Sequence, residues 1–450
     1  MKKIFQYIML AVVTIVMASC TSDIEETTAT AGKSNVQLVV GEFPAFGDSQ
    51  TRAIGTPDEG KTSWAEGDEL LLEIDNTSYG RHNATFTYNG KSWELTSGEL
   101  VYLEGDPAYI SHVYYAPNYK WSNTSLMLKK GKVAGTDELI EGKARITGNG
   151  ETITVSFAEA TRKYSRLRIA TLPNEQITVD TEYFTPAGSS DMEQNGNYTL
   201  TSDEKGNAYL YGTFENNSEV TVKYREAALT TYTFSQATES AKSYALDATV
   251  ISANSAEEIK SAIEQKVADG KTTIRLNLAP NAGTNEFMAI REAIKGAAPN
   301  DLGTIELTII GVETIPEEAF YKMLQLKSVR MSDVKEIKKY AFKECQYLTV
   351  VEAPSLNKLC SGAFKKCDQL AKLTFGPINY ADERNWPIFE YITPNIDLIL
   401  SDYQKEMIET DSYLYTANND RDYAGSDEHN SKNFLGREFK SITCRRYRVE

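Results

Sequence analysis

The chain has 450 residues, of which 41% are hydrophobic and 24% are charged, and its formal net charge is -16. This composition is typical of globular domains and excludes a largely disordered chain, while the length suits about three domains. The acidic balance, without any basic stripe, argues against a nucleic-acid partner, because phosphate binding needs clustered Lys and Arg.

The N-terminus has the features of a secretory signal. Two lysines precede an apolar run at residues 4–18, which is too short to span a bilayer comfortably. The sequence MASC at residues 17–20 resembles a bacterial lipobox, with Met17 in place of the usual Leu. The resemblance implies that residues 1–19 are a lipoprotein signal peptide and that acylated Cys20 anchors the protein to a membrane by lipid only. A secreted protein that is cleaved nearby is the alternative.

Residues 20–34 predict a flexible tether, since they are rich in Thr, Ala, Gly and Ser and offer little to bury. Three acidic residues, Asp23, Glu25 and Glu26, follow the cysteine closely. This arrangement resembles the surface-export signal of Bacteroidetes lipoproteins. It implies an outer membrane lipoprotein exposed at the cell surface, although acidic residues in a tether also serve solubility alone.

Short alternating strands, separated by Gly, Asn, Asp and Pro, fill residues 35–250. The Asn89-Gly90 pair between two such runs predicts a hairpin with a type I′ turn, because both central residues of that turn need positive φ. Many short strands with turns between them, and no evident helix of twelve residues, predict β-sandwiches, and the length suits two.

Several motifs in this stretch resemble the fimbrillin-like proteins of Bacteroidetes. They are SQTRA at residues 49–53 with SWAEGDEL at 63–70, then VSFAEA at 155–160 with YSRLRI at 164–169, and finally KSYAL at 242–246. Glu159 or Ala160 stands where that family often has His, and Ala241 replaces a Gly. The resemblance implies two transthyretin-like, fimbrillin-like β-sandwiches at residues 35–155 and 156–250. It also implies proteolytic processing after Arg52 and assembly by donor-strand complementation.

The pattern changes after residue 250. Ser255 and Glu258 form a capping-box-like start, and apolar residues at 259, 263 and 267 predict a helix that ends before Asp269. A strand at residues 272–278 and a second helix at 286–295 should follow. We interpret residues 251–312 as an N-terminal αβ cap with a partial repeat.

Three gapless units of 22 residues follow, at residues 313–334, 335–356 and 357–378. Their shared apolar columns are Ile315/Ile337/Leu359, Ala319/Ala341/Ala363, Phe320/Phe342/Phe364, Leu326/Leu348/Leu370, Val329/Val351/Leu373 and Met331/Ala353/Phe375. Spacing within each unit predicts one helix and one strand, which can bury their shared face only by stacking. The A-F-x-x-C-x-x-L signature closely resembles the BspA-type leucine-rich repeat, and implies an α/β leucine-rich repeat solenoid. Val334, Leu356 and Ile378 replace the usual Asn, so we expect apolar packing to hold these turns in place of an Asn ladder.

Cys345 and Cys367 share a repeat column with Met323, which favours a soft apolar packing position. A disulfide and a metal site are the alternatives, but the spacing is not that of a zinc site. We expect no metal and no cofactor. A calcium-loop-like start at Asp420 lacks the closing Glu, which favours a solvated loop.

Residues 379–450 break the period and predict a C-terminal cap, with a strand at 396–400, a helix at 401–408 and a last strand at 439–442.

The sequence contains no recognisable catalytic constellation, so we expect no enzyme. It favours a multidomain surface lipoprotein for adhesion, in which the solenoid binds a host or bacterial surface protein or glycan. A fimbrial tip or accessory role, with fimbrial subunits as partners, is a narrower form of this hypothesis. The alternative is a glycan-binding, or less favoured glycan-cleaving, lipoprotein of a nutrient-uptake system. The sequence identifies no ligand-binding residue.

Overall fold

The computed structural model describes residues 31–34, 36–46, 61–76, 80–100, 108–123, 125–147, 152–157, 162–225, 227–253, 255–381, 388–392, 395–405, 433–435 and 437–445. In these residues the chain forms 31 strands and two helices. Among them, no helix combines the length and apolar character needed to cross a bilayer.

The first β region, residues 31–157, consists mainly of one eight-stranded sheet in the order β1-β5-β4-β3-β6-β9-β10-β2. Alternate residues of β3, namely Leu70, Leu72 and Ile74, face one core. The strands are β1 (Ala31–Ser34), β2 (Gln37–Val40), β3 (Glu69–Asn76), β4 (Gly80–Tyr88), β5 (Trp93–Leu100), β6 (Ala108–Tyr115), β9 (Ile140–Thr147) and β10 (Thr152–Ser156), with a separate hairpin of β7 (Tyr119–Ser122) and β8 (Ser125–Leu128).

The first strands bring the two ends of this sheet together. β1 pairs in parallel with β5 at one end, and β2 pairs in parallel with β10 at the other. Since β1 and β2 are separated by only residues 35 and 36, the sheet curls around its core. Residues 31–34, which the sequence assigned to the tether, therefore belong to a strand.

The hairpin predicted at Asn89 and Gly90 is confirmed, but the predicted type I′ turn is wrong. The loop has four residues, and of the predicted pair Gly90 alone has positive φ, at 87°. Asn89 instead organises the loop: its Oδ1 accepts hydrogen bonds from the backbone N–H groups of Lys91 and Ser92, at 2.9 and 2.8 Å.

The second β region, residues 162–248, is built around one long bent strand, β12. Its residues 178–181 pair with β15, and Phe184–Pro186 pair with β14. Tyr183 lies at the bend with a φ of 50°. The strands are β11 (Ser165–Ala170), β12 (Gln176–Pro186), β13 (Glu193–Thr201), β14 (Asn207–Phe214), β15 (Glu219–Tyr224), β16 (Ala227–Thr233) and β17 (Ser243–Asp247).

Two parallel sheets form the solenoid that follows. The long sheet contains β18 (Ile251–Ser252), β19 (Thr273–Asn277), β20 (Ile305–Ile310), β22 (Leu326–Met331), β24 (Val350–Ala353), β26 (Lys372–Phe375), β28 (Asp397–Ser401) and β31 (Ser441–Arg445). The short sheet contains β21 (Thr314–Ile315), β23 (Glu336–Ile337), β25 (Lys358–Leu359) and β27 (Tyr380–Ala381). β29 (Asn433–Phe434) and β30 (Arg437–Glu438) pair with each other.

The predicted helix in each repeat is wrong. The segments that carry the Ala-Phe signature are successive tight turns, with positive φ at residues such as Lys322, Glu344 and Lys366. Their backbone N–H groups donate to the neighbouring repeat, as Phe342 does to the Ala363 carbonyl at 2.9 Å, rather than four residues back within a helix. The apolar spacing does correspond to one buried face, but in this structure turns rather than a helix provide that face.

Both helices before the repeats are confirmed. α1 (Ala256–Ala268) is capped by Ser255, which accepts a hydrogen bond from the Glu258 N–H. α2 (Thr284–Ala297) begins two residues earlier and ends two residues later than predicted.

The C-terminal strands continue the solenoid. β28 pairs in parallel with β26, and β31 pairs in parallel with β28, so both strands extend the long sheet. β28 lies where the sequence predicts a strand at 396–400, whereas the last strand runs from Ser441 to Arg445 and overlaps the predicted range 439–442 by two residues only. Residues 403–405 form a helical turn, and the rest of the helix predicted there lies outside the described residues.

Candidate functional site

The core of the solenoid is a set of ladders, each made by one column of the repeat. Phe320 and Phe342 stack with ring centroids 5.1 Å apart, and Phe342 and Phe364 stack at 5.4 Å. Val334 and Leu356 are fully buried in the column where common leucine-rich repeats have Asn. The prediction that apolar packing replaces an Asn ladder is therefore confirmed.

The cysteine column is a packing position with an added hydrogen bond. The Cys345 thiol donates to the Phe320 carbonyl at 2.9 Å, and the Cys367 thiol donates to the Phe342 carbonyl at 3.0 Å. Burial raises the pKa of Cys345 to about 12, although the Met323 backbone and Lys295 act in the opposite direction. Both thiols therefore stay protonated and serve as buried donors. Among the described residues, no group of His, Cys, Asp and Glu is arranged to hold a metal ion.

The outward side of the long sheet is the candidate interaction surface, because alternate residues of each strand leave the core. Val329, Val351 and Leu373 point inward and are fully buried, whereas their strand neighbours are half-buried or exposed. We define the open sheet face by the outward residues of β22 to β31. They are Ser328, Arg330, Val350, Glu352, Lys372, Thr374, Asp397, Ile399, Ser441 and Thr443.

Parallel register arranges these residues in two rows across five strands. One row runs Ser328, Val350, Lys372, Asp397, Ser441, and the other runs Arg330, Glu352, Thr374, Ile399, Thr443. Neighbouring strands are about 4.8 Å apart, so each row is a continuous strip of side chains.

Charges on the open sheet face are paired across strands. Arg330 Nε lies 3.0 Å from one carboxylate oxygen of Glu352, and Lys372 Nζ lies 3.7 Å from the other. Asp397 accepts a hydrogen bond from Ser441 at 2.6 Å and lies 2.9 Å from Lys440 Nζ, and these two contacts lower its pKa. The surface thus presents both signs of charge beside hydroxyls and the apolar Val350 and Ile399.

The second β region covers the N-terminal end of the long sheet. Ile310 of β20 is buried in the core of that region. Arg275 of β19 is 5% exposed, donates from Nε to the Leu229 carbonyl at 2.6 Å and lies 3.9 Å from Asp247. The free part of the face therefore begins at β22.

In the turns that carry the Ala-Phe signature, on another side of the solenoid, lysine side chains lie over tyrosine rings. Lys343 Nζ lies 5.0 Å from the ring centroid of Tyr321 and 4.7 Å from that of Tyr340. Glu344 lies 3.6 Å from Lys322 and 3.9 Å from Lys343, so its carboxylate offsets part of their positive charge.

Motif residues that the sequence singled out in the first β region are structural. Trp64 donates from its indole N–H to the Gly41 carbonyl at 2.7 Å and packs against Phe43 and Tyr115. Asp68 accepts hydrogen bonds from the Ala65 N–H at 2.7 Å and from the Tyr115 hydroxyl at 3.2 Å. These residues close the end of the core.

The predicted lipid anchor Cys20, the processing site Arg52 and the Asp420 loop lie outside the described residues. Sequence reasoning missed the residues of that face, although the period of 22 already fixed which positions alternate with the buried columns.

These features define the C-terminal part as a leucine-rich repeat solenoid. Residues 301–404 match the family described as BspA type Leucine rich repeat region, in six copies, a longer stretch than the three units recognised at 313–378. The crystal structure of the leucine-rich repeat protein TpLRR of T. pallidum is similar to part of the chain, with 18% sequence identity and a TM-score of 0.17. That similarity covers 21% of this chain and 58% of that one. None of the curated proteins compared with the chain matches it.

Leucine-rich repeat regions present an extended surface on which partner proteins bind. The BspA-type repeats therefore indicate an interaction of this kind for the chain.

Proposed function

We propose that this protein is a non-enzymatic, surface-exposed lipoprotein, anchored through Cys20, that binds a protein partner through the open sheet face of its solenoid. The observation that carries the proposal is the pair of side-chain rows on five adjacent strands, Ser328 to Ser441 and Arg330 to Thr443. Such a face matches the polar rim and scattered apolar contacts of reversible protein interfaces.

Charge pairing on this face supports a protein partner over a strongly charged polymer. Glu352 is shared between Arg330 and Lys372, so neither sign dominates. A partner with alternating charges can exchange these pairs for its own, which provides specificity more than raw affinity.

Two measurements test the proposal. Radiolabelled palmitate should be incorporated into the protein in its native host cell and be absent from a Cys20→Ala variant. Protease added to intact cells should remove epitopes of the solenoid. Labelled protein whose solenoid resists protease until the cells are lysed would contradict surface exposure.

Partner binding is tested with full-length protein immobilised on beads, using surface proteins of host and bacterial cells as the source. A Glu352→Lys variant should lose the specific partner, because it places three cations in adjacent strands. Glu204→Lys, the same charge reversal at an exposed position in the second β region, is the matched control. Equal capture by all three proteins would contradict a role for the open sheet face.

A fimbrial accessory role is the second candidate, and one specific arrangement favours it. β1 and β2 precede Arg52 in the chain and pair with β5 and β10 at the two ends of the first sheet. Leu38 of β2 and Phe43 just after it are buried in the core. Cleavage after Arg52 would disconnect these strands from the rest of the sheet, leaving edges that a strand of a neighbouring subunit could occupy.

This candidate retains the resemblance of the two β regions to fimbrillin-like sandwiches. It predicts that the mature protein from cells begins at Ala53 and migrates in high-mass assemblies that an Arg52→Ala variant does not form. Intact protein that is monomeric on cells would exclude it.

A further inference from the structure

A cleft between the two β regions has features that the solenoid's role does not explain. Its volume is about 290 Å³. Tyr114 and Glu141 line it from the first region, and Tyr164, Thr185, Ser189 and Thr213 line it from the second. Ligand sites commonly lie at such domain junctions, and this volume is just below their usual range of about 300–1,000 Å³.

The walls of the cleft are fixed by contacts between the two regions. The Tyr119 hydroxyl donates to the Ala187 carbonyl at 3.1 Å, and the Tyr211 N–H donates to the Gly135 carbonyl at 2.7 Å. Nearby, a buried ion pair joins Arg162 to Glu138 at 2.8 Å. The cleft is therefore preformed, which reduces the entropy lost on binding.

Aromatic and hydroxyl groups dominate one part of the lining. The Tyr114 ring stacks on His112, with centroids 5.7 Å apart and an interplanar angle of 17°, and Trp121 packs edge-on at 6.0 Å. Burial, together with the charges of Glu141 and Glu73, raises the pKa of Tyr114. Its hydroxyl therefore stays protonated, and it lies within hydrogen-bond distance of His112 Nδ1, at 3.3 Å. Tyrosine combines an apolar ring with such a polar tip, which suits a ligand with both kinds of surface.

The carboxylate of Glu141 supplies the acceptor. One of its oxygens lies 3.6 Å from His112 Nδ1 and the other lies 3.5 Å from Lys163 Nζ. These are long contacts, and the Glu141 side chain is 37% exposed, so its oxygens keep capacity for a ligand. Lys163 is 83% exposed at the rim and supplies a donor.

We infer that this cleft binds one neutral sugar residue, as the end of a glycan. A sugar ring has adjacent hydroxyls that donate to Glu141 and accept from Lys163, Ser189 or Thr213, and a C–H surface that packs on tyrosine. An anionic ligand would be repelled by the carboxylate of Glu141 in the wall. A purely apolar ligand would displace water from the hydroxyls of the cleft without replacing the hydrogen bonds that the water makes. The size of the cleft admits a single ring, with the rest of the chain outside.

The inference does not rest on the function proposed for the solenoid. It is tested by saturation-transfer NMR on the full-length protein with a panel of neutral hexoses and N-acetylhexosamines, and with hexuronates as anionic probes. At least one neutral sugar should receive saturation from the protein, and no hexuronate should bind more tightly.

Two variants locate the site. Glu141→Gln should weaken binding about tenfold, because it removes a charge-assisted acceptor. Thr213→Trp should abolish binding by filling the cleft, while an unchanged melting temperature shows that the fold is kept. Glu204→Gln, an exposed carboxylate elsewhere in the second β region, should bind as the parent does. Failure of every neutral sugar to bind, preferential binding of hexuronates, or binding that survives Thr213→Trp would overturn the inference.

Discussion

The core of the solenoid is made by contacts between neighbouring repeats, whereas the core of the first β region is made by contacts between segments that lie far apart in the chain. In the solenoid, Phe342 stacks between Phe320 and Phe364, its counterparts in the neighbouring repeats. In the first β region, Leu38 of β2 lies opposite Ile153 of β10, far along the chain. A repeat therefore depends on its immediate neighbours, whereas the β region depends on a closure between distant segments. The two should respond differently to damage.

The largest effect is expected from Phe342→Ala in the phenylalanine ladder. Because the ring is fully buried between two others, its loss should lower the free energy of unfolding of the solenoid by about 3–5 kcal/mol. Hydrogen exchange followed by mass spectrometry should show faster exchange in the flanking repeats and little change in the first β region. Lys338→Ala, an exposed residue of the same repeat, is the control. An equal increase in the exchange rate in all regions would contradict the claim that a repeat depends mainly on its immediate neighbours.

Leu38→Ala probes closure of the first β region. Leu38 is 6% exposed and lies near the end of the sheet, so we expect a loss of about 2–3 kcal/mol in the free energy of unfolding. Faster exchange should appear in both β5 and β10, since β1 and β2 hold the two ends of the sheet. The matched control is Val39→Ala on the same strand, where the side chain is 42% exposed. Deprotection confined to β2 would mean that the sheet does not depend on this closure.

The junction between the second β region and the solenoid should be sensitive to acid. Burial alone would raise the pKa of Asp247, but two hydrogen bonds from Thr249 and the charges of Lys266 and Arg275 outweigh it, so the pKa is lowered. A carboxylate with a lowered pKa stabilises the folded state above its unfolded pKa of about 4, and this stabilisation is lost as the pH falls through the folded pKa.

Asp247→Asn should therefore cost about 1 kcal/mol at neutral pH, and the difference from the parent should shrink below about pH 4. Chemical denaturation at several pH values measures this. Asp203→Asn, in a turn of the second β region, checks whether any aspartate has the same effect. A deficit that stays constant down to pH 2 would exclude the ionised Asp247 as its source.

The smallest effect on stability is expected on the open sheet face. Arg330→Ala removes a partly exposed ion pair with Glu352, which should change the free energy of unfolding by less than about 1 kcal/mol. The melting temperature measures this directly. A large destabilisation would show that this face is part of the structural framework rather than a surface available for binding.

The same contrast explains what could be predicted from the sequence. The period of 22 predicted the buried columns, including Val334 and Leu356 in the place of Asn, because in a solenoid each position repeats its environment. Ser255 predicted the start of α1 because a helix cap is a local interaction. The apolar spacing around Glu344 predicts a helix where the structure has turns, since turns and helices bury side chains at similar spacings and the positive φ of a glutamate leaves no signal in the sequence.

Long-range pairings were beyond the sequence. Nothing local to Leu38 indicates that its strand lies beside Ile153, and nothing local to Tyr183 shows that β12 bends there between two sets of partners. The cleft of Tyr114 and Thr213 joins residues from two regions and arises only from their packing. The open sheet face could have been predicted from the repeat, by taking the positions between the buried ones.

The most direct test of the central claim is site-specific photo-crosslinking from the full-length protein on intact cells. A benzophenone side chain at Thr374, in the middle of the open sheet face, should yield a discrete adduct with a protein partner. The same group at Lys338, on the turns, should yield none, and Glu352→Lys should abolish the adduct at Thr374. Adducts of equal yield from both positions, or an adduct that persists in the Glu352→Lys variant, would contradict the account.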